Sequence, residues 1–179
     1  SRGLGDVYKR QSLIGGLGDD YLYSNSHSNL IEGGEGADRL QSLINPSHFE
    51  YAFSNEFRGE DLNHILKGGD GNDSINVDAD NTYQEDYARA EVEAYGGEGA
   101  DTIKVIDKRA GVINQYGEGY GISKVQVDGG VGKDEITVAG ALDVSITTGA
   151  DSDTIILTSQ HYRTIQEGTR IGNPIEGSI

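Results

Sequence analysis

The sequence contains no cysteine, methionine or tryptophan, and only 2 of its 179 residues are proline. Without cysteine there can be no disulfide framework, so a compact fold has to be stabilised by something else. No apolar run approaches the roughly 18–20 residues that a membrane-spanning helix needs, so we expect no membrane insertion by this segment. Because methionine is missing altogether, we expect the sequence to be a fragment of a longer protein.

Basic residues are scarce. The chain has 14 Lys and Arg against 30 Asp and Glu, which gives a net charge of −16. Binding to nucleic acid or to an anionic membrane surface needs clustered basic residues, so we expect neither kind of partner. A chain this acidic either remains solvated or recruits cations. The positions of its carboxylates decide between these two possibilities.

Glycine, in contrast, is abundant, with 27 residues. Most of it belongs to an internal repeat with the pattern Gly-Gly-x-Gly-x-Asp-x-apolar-x, which five segments keep without a mismatch and a sixth keeps in part. The segments are GGLGDDYLY at 15–23, GGEGADRLQ at 33–41, GGDGNDSIN at 68–76, GGEGADTIK at 96–104, GGVGKDEIT at 129–137 and the worn copy TGADSDTII at 148–156.

The spacing of the copies predicts an all-β parallel solenoid. We expect each Gly-rich hexad to be a turn and the alternating residues after it to be a short strand; the residues before each Gly pair form a second strand. Stacking such coils joins their apolar rows into one core between two parallel sheets, with about six coils. The copies start 18 to 35 residues apart, so we expect the insert loops 42–64, 78–92 and 107–122 at the edge opposite the turns.

Stacked coils would place the repeated Asp residues in a column along one edge. Carboxylates separated by one strand spacing repel one another, so the column requires positive charge between them. A hard cation with oxygen ligands fits, and Ca²⁺ fits better than Mg²⁺ because it tolerates irregular geometry. The predicted metal ligands are Asp20, Asp38, Asp73, Asp101, Asp134 and Asp153.

Glycine turns can add backbone carbonyl oxygens, because a residue without Cβ adopts positive φ easily and can direct its carbonyl at an ion. The glycines predicted to serve in this way are Gly16, Gly18, Gly34, Gly36, Gly69, Gly71, Gly97, Gly99, Gly130 and Gly132. Of the additional acids in the turns, Asp151 is the best candidate for a further ligand, whereas we expect Asp19, Glu35, Asp70 and Glu98 to be solvated.

The nonapeptide GGxGxDxUx, with U apolar, resembles the repeat of RTX (hemolysin-type) calcium-binding proteins over about residues 15–156. The resemblance implies a right-handed parallel β-roll with several Ca²⁺ ions stacked between successive Gly-rich turns. It also implies a secreted bacterial protein, exported by a type I route, that folds when it meets extracellular calcium. We expect residues 12–165 to form the roll and 166–179 to be a truncated strand or tail. Residues 1–11 resemble a translated sequencing-adapter peptide, and we expect a non-native leader there.

A second calcium column on the opposite edge is not expected. The intervening copies carry Asn29 and His64 where the repeat has Asp, and neither supplies a carboxylate. We therefore predict calcium turns on one edge only. The four histidines share no metal-ligand spacing, and we expect them at the surface.

Catalytic motifs are missing, since HExxH, GxSxG and GxxxxGK[ST] do not occur, and we expect no catalysis by this segment. One alternative is an adhesin or glycan-binding module that uses the insert loops, because residues 45–64 concentrate Phe49, Tyr51, Phe53 and Phe57. A second alternative is a fragment of a polysaccharide epimerase or lyase on a related solenoid. A glycan or protein ligand is left open by the sequence.

Overall fold

The computed structural model describes residues 10–26, 28–44, 62–79, 89–108, 121–141, 143–158 and 164–167. In these ranges all regular secondary structure is β, and no helix there is long and apolar enough to cross a membrane. The strands are β1 (Arg10–Leu17), β2 (Tyr21–Ser24), β3 (Ser28–Glu35), β4 (Arg39–Ile44), β5 (Leu62–Asp70), β6 (Ser74–Ala79), β7 (Arg89–Glu98), β8 (Thr102–Asp107), β9 (Gly121–Val131), β10 (Glu135–Ala139), β11 (Asp143–Thr147), β12 (Thr154–Thr158) and β13 (Thr164–Glu167).

Odd-numbered and even-numbered strands form two separate sheets. Sheet A has the order β1-β3-β5-β7-β9-β11-β13, and sheet B has the order β2-β4-β6-β8-β10-β12. Every pair of neighbouring strands is parallel. The chain therefore alternates between the sheets and advances by one strand at each coil, which confirms the predicted parallel β-roll of about six coils.

The turns are shorter than the sequence pattern predicted. In the first five Gly-rich hexads, the first three residues continue the sheet A strand and only the last three form the bend into sheet B; β3, for example, includes the glycine pair Gly33-Gly34 and ends at Glu35. In the sixth hexad, β11 ends at Thr147, before the hexad begins. The sheet A ladder continues through the glycines, since Gly34 pairs with Gly16 on one side and with Gly69 on the other. The glycine pairs are thus part of the parallel sheet.

The core lies between the two sheets and is built from alternate residues of each strand. The pairs Ile75/Val77 and Ile103/Val105, each two residues apart on one strand, are buried, and the equivalent residues of neighbouring coils stack on one another in register. Ile146, near the end of the roll, is only partly buried. Branched aliphatic side chains dominate, as is usual for strands that are packed on their inner face.

The long connections leave from the edge opposite the Gly-rich turns, as predicted. Each runs from the end of a sheet B strand to the start of the next sheet A strand, and the connecting residues 45–61, 80–88 and 109–120 lie outside the described residues. The strands extend into the predicted insert ranges, since β5 already begins at Leu62. At the other end of the chain, β1 begins at Arg10, inside the segment expected to be a leader. The domain boundaries remain predictions.

We predict that Leu66→Ala destabilises the folded roll by about 2–5 kcal/mol, because Leu66 is completely buried at the centre of the core and its loss leaves a cavity. Chemical denaturation in saturating calcium measures the free energy of unfolding. The control is Asn63→Ala on the same strand, where the side chain is exposed and the change should stay within about 0.5 kcal/mol. Equal effects of the two variants would contradict the assigned register.

Candidate calcium site

The six repeated Asp residues lie in one column along the turn edge, as predicted from their spacing. They are linked directly, because the backbone N–H of Asp38 donates to Oδ1 of Asp73, one coil further on, at 2.8 Å. The same bond joins Asp20 to Asp38, Asp73 to Asp101, Asp101 to Asp134 and Asp134 to Asp153, at 2.7–3.0 Å. One carboxylate oxygen of each Asp therefore ties its coil to the preceding one.

The second carboxylate oxygen has no such partner. In the first five turns Oδ2 is buried and accepts no hydrogen bond; these atoms belong to Asp20, Asp38, Asp73, Asp101 and Asp134. Four of these residues are at most 3 % exposed, namely Asp38, Asp73, Asp101 and Asp134. A buried charged oxygen without a partner is costly, and a row of them requires a compensating group at each position.

The first glycine of each turn packs against this unpartnered oxygen, a role that the sequence analysis did not assign. An ideal Cβ on Gly33 would overlap both Oδ2 of Asp38, in the same turn, and the carbonyl oxygen of Gly68, in the next turn. Carboxylate and carbonyl oxygens therefore flank the same space. The same pair of oxygens lies beside Gly15, Gly68 and Gly96, whereas the three nearest atoms to a Cβ on Gly129 all belong to Asp134.

The second and third glycines of the motif have positive φ in the first five turns, as expected. They also allow adjacent coils to approach closely, since an ideal Cβ on Gly34 or Gly36 would overlap the carbonyl of the equivalent glycine in the preceding turn. The remaining turn amides are satisfied between coils; Gly36 N–H, for example, donates to the Asp70 carbonyl at 2.8 Å. The carboxylate oxygens are thus the groups that the turn architecture leaves without partners.

These residues fit a hard divalent cation. The available donors are carboxylate and backbone carbonyl oxygens, which are the ligands that Ca²⁺ prefers. In the described part of the chain, no group of three or more His, Cys, Asp or Glu side chains is arranged to hold a metal ion. An ion in the column would therefore combine few carboxylates with backbone oxygens, in agreement with the expected role of the glycine turns.

Comparison with known families found one match, which covers part of the repeat. Residues 11–40 and 58–83 match the family profile of the RTX calcium-binding nonapeptide repeat in 4 copies. Over these residues the chain is similar to RTX calcium-binding repeats. Searches of curated proteins and of solved structures found no match to the chain. The three later turns lie outside the matched residues, but they continue the same Asp column, because the same Asp-to-Asp hydrogen bonds run through them.

Electrostatics along the Asp column favour protonation when no ion is present. Burial raises the pKa of Asp101 from 3.8 to about 6; the neighbouring carboxylates Asp73 and Asp134 contribute, while the hydrogen bond from Asp73 N–H opposes the shift. Burial is also the largest cause of the raised pKa values of Asp73 and Asp134. The central turns therefore resist carrying negative charge unless a cation is present.

Four of the additional acids are exposed. Exposure was expected for Glu35, Asp70 and Glu98, whereas Asp151 was the candidate for a further ligand. Asp19 is also exposed, but its Oδ1 accepts a hydrogen bond from Ala37 N–H of the next turn at 2.9 Å. Asn72 makes the equivalent bond to Ala100 N–H at 2.7 Å. The residue before the repeated Asp can thus link two turns, a contact that the sequence pattern did not indicate.

Among the described residues, the opposite edge carries no column of repeated Asp residues. His64 lies there and is buried, whereas it was expected at the surface. It is 1 % exposed and pairs in register with Asn29. Oγ of Ser42, from sheet B, lies 2.8 Å from Nδ2 of Asn29 and 3.1 Å from Nδ1 of His64. In the next coils this position is filled by Val92 and Val125. The other three histidines, His27, His48 and His161, lie outside the described residues.

We predict that the metal-free roll becomes less stable as pH rises from about 4 to about 6. The folded state raises the pKa of Asp101 from 3.8 to about 6, so ionisation in this window favours the unfolded chain; below it the group is neutral in both states, and above it the loss is complete. The folded fraction in chelator, followed by circular dichroism from about pH 4 upward, measures this. Asp101→Asn should weaken the dependence, whereas Asp143→Asn, which removes an exposed carboxylate, should not. Stability that increases across this window would contradict the assignment.

We predict that Gly68→Ala destabilises the calcium-loaded roll by about 1–3 kcal/mol, because its Cβ would overlap Oδ2 of Asp73 and the Gly96 carbonyl. The concentration of calcium needed for folding should rise in parallel. Circular dichroism at increasing calcium measures both effects. Ala100→Ser, at an exposed position of a neighbouring turn, is the control. A Gly68→Ala variant that folds at the same calcium concentration as the wild type would contradict the packing described for the first glycine.

Proposed function

We propose that this segment is a calcium-dependent folding and stabilising element, in which Ca²⁺ ions occupy the intervals between successive Gly-rich turns. The observation that carries the proposal is the row of buried, unpartnered Oδ2 atoms from Asp20 to Asp134. RTX nonapeptide repeats bind calcium in general, and three of the six turns lie in the matched residues. The ligands would be Oδ2 of each Asp together with carbonyl oxygens of the adjoining glycine turns.

Calcium binding and folding are coupled in this proposal. The turn carboxylates come together only when the coils stack, so the unfolded chain has no preformed site and the binding energy adds to the stability of the folded state. At low calcium the ionised column is unfavourable, because burial and, to a smaller extent, neighbouring carboxylates raise the pKa values of Asp73, Asp101 and Asp134. At millimolar calcium the charge is neutralised and the two sheets can form.

The location of the protein is inferred from the repeat family and from the calcium affinity that such modules have. RTX repeats typically occur in secreted bacterial proteins, and calcium modules outside the cell commonly bind with Kd values of about 10⁻⁴–10⁻³ M. We propose that the roll is an extracellular part of a larger protein exported by a type I route, and that it remains open before export. Residues 12–165 would form this unit, with 166–179 as a truncated strand or tail.

We propose no catalysis by this segment, since RTX repeat domains are generally structural calcium-binding elements. The adhesin or glycan-binding alternative depends on Phe49, Tyr51, Phe53 and Phe57, which lie outside the described residues. The epimerase or lyase alternative needs a compact acid–base cluster on one sheet face. No described feature favours either alternative over calcium-dependent folding.

Far-ultraviolet circular dichroism of the chain in chelator and then in increasing calcium tests the proposal. At neutral pH, above the window in which Asp101 is protonated in the folded state, we predict an unfolded spectrum in chelator and a cooperative gain of β-structure at roughly millimolar calcium, with little effect of Mg²⁺ at the same concentration. Asp73→Asn should raise the calcium midpoint by about tenfold, since the site loses a charge. Asp143→Asn, the matched exposed control, should leave it unchanged. Equal β-content with and without calcium would contradict the proposal.

A further inference from the structure

The first coil of the roll ends both sheets at the same level. β1 is the terminal strand of sheet A and β2 is the terminal strand of sheet B, and the two are consecutive strands of one coil. Their free edges together form the first-coil edge. At the other end of the described residues, sheet A continues to β13 whereas sheet B stops at β12, so that end is stepped.

The first-coil edge carries almost no charge. β1 reads RQSLIGGL and β2 reads YLYS, so Arg10 is the only charged residue of the two strands. Natural proteins usually protect edge strands against pairing with another chain by charged residues, proline or a bulge. Neither strand contains proline, and β1 pairs with β3 without a register shift. The central part of this edge therefore lacks the usual protection.

Exposed apolar side chains are concentrated in the same coil. Six large apolar or aromatic side chains are exposed in the described ranges, and four of them belong to the first coil, namely Ile14, Leu17, Tyr21 and Tyr23. Facing the core, Leu13 and Leu22 are only partly buried, whereas their neighbours in the second coil, Ile31 and Leu40, are completely buried. The hydrophobic core is thus open at this end.

The Gly-rich turn of the first coil is uncovered on the same side. An ideal Cβ on Gly34 would overlap the carbonyl oxygen of Gly16 in the preceding turn, whereas a Cβ on Gly16 or Gly18 would have no atom within 4 Å. The first coil therefore presents the strands, glycines and inward-facing side chains of an internal coil, with no neighbouring coil among the described residues.

We propose that two copies of this chain pair through the first-coil edge as an isologous dimer. β1 pairs antiparallel with β1 of the second copy, and β2 pairs antiparallel with β2. One two-fold axis perpendicular to the sheets generates both pairs, so each sheet continues across the interface and the inward-facing Leu13 and Leu22 enter a shared core. Two level ends match each other, whereas a level end placed on the stepped end would leave the edge of β12 unpaired.

The distribution of charge also favours the antiparallel arrangement. Arg10 is exposed at the start of β1, and Asp19 and Asp20 follow the end of that strand. Antiparallel pairing brings Arg10 of each copy toward the acidic turn of the other copy, whereas parallel stacking would place acidic turn beside acidic turn. Because the edge itself contains no Asp or Glu, two chains of net charge −16 can approach each other there.

Analytical ultracentrifugation of the full chain in saturating calcium tests the proposal. The mass should rise with protein concentration from one chain to two and then stop, because an isologous contact is closed. Tyr23→Lys should raise the dissociation constant of the dimer by about tenfold or more, since it adds a charge on each side of the β2 pair. Circular dichroism verifies that the variant is folded.

Ile156→Lys is the matched control. Ile156 is 43 % exposed, like Tyr23, and lies in the same cross-strand row of sheet B, but it belongs to β12 at the other end of the roll. The same change of charge at this position should leave the dissociation constant unchanged. Weakening by Ile156→Lys equal to that by Tyr23→Lys would indicate head-to-tail stacking and contradict the proposal.

Spin labels give an independent measurement, because the chain contains no cysteine and Tyr23→Cys or Ile156→Cys each provides one labelling site. In the dimer, the two labels at position 23 should be close together. Those at position 156 should be roughly 50 Å apart, since two sets of six strands with a spacing of about 4.8 Å lie between them. A single-chain mass at every concentration, a mass that continues to rise beyond two copies, or a short distance between labels at position 156 would overturn the proposal.

Discussion

The roll depends on the carboxylate of the repeated Asp, in which one oxygen is hydrogen-bonded and the other has no partner. In each regular turn, Oδ1 of the repeated Asp accepts the N–H of the equivalent Asp one coil earlier, and this bond fixes the register of the stack at the turn edge. Oδ2 is left buried without a partner at the same place. The hydrogen bond that joins the coils thus creates the demand for a cation, because it brings every charge within one strand spacing of the next.

The rest of the turn follows from that requirement. The first glycine leaves space for Oδ2, and the second and third let adjacent backbones approach at positive φ. Where no carboxylate column exists, the opposite edge is packed differently. The position that Asn29 and His64 occupy in their coils is occupied by Val92 and Val125 in the following coils. Hydrogen-bonded polar side chains are thus replaced by aliphatic ones along this row. Among the described residues, the repeated Asp column runs along the turn edge, whereas the opposite edge combines buried hydrogen-bonded side chains such as Asn29 with aliphatic packing in the later coils.

Much of this architecture could be predicted from the sequence, because the repeat sets both the period of the coils and the face of each residue. The Asp column, the positive-φ glycines and the buried pairs such as Ile103/Val105 all follow from a nine-residue pattern. The sequence could not show that the glycine pairs belong to sheet A, since glycine is normally typical of turns. Nor could it show that the first glycine packs against Oδ2, because that contact depends on the turn one coil away. His64 was misplaced for a related reason: a lone polar residue is usually exposed, and its partner Ser42 is distant in sequence.

The central claim is that a calcium ion accompanies each buried Oδ2 of the regular column. A crystal structure of the calcium-loaded chain, with anomalous scattering data that distinguish calcium from water, tests it most directly. The account predicts an anomalous peak within about 2.3–2.6 Å of Oδ2 in the regular intervals, with carbonyl oxygens of the adjoining glycine turns completing the coordination. Intact coils in saturating calcium, with no anomalous peak beside Asp38, Asp73 or Asp101, would contradict it.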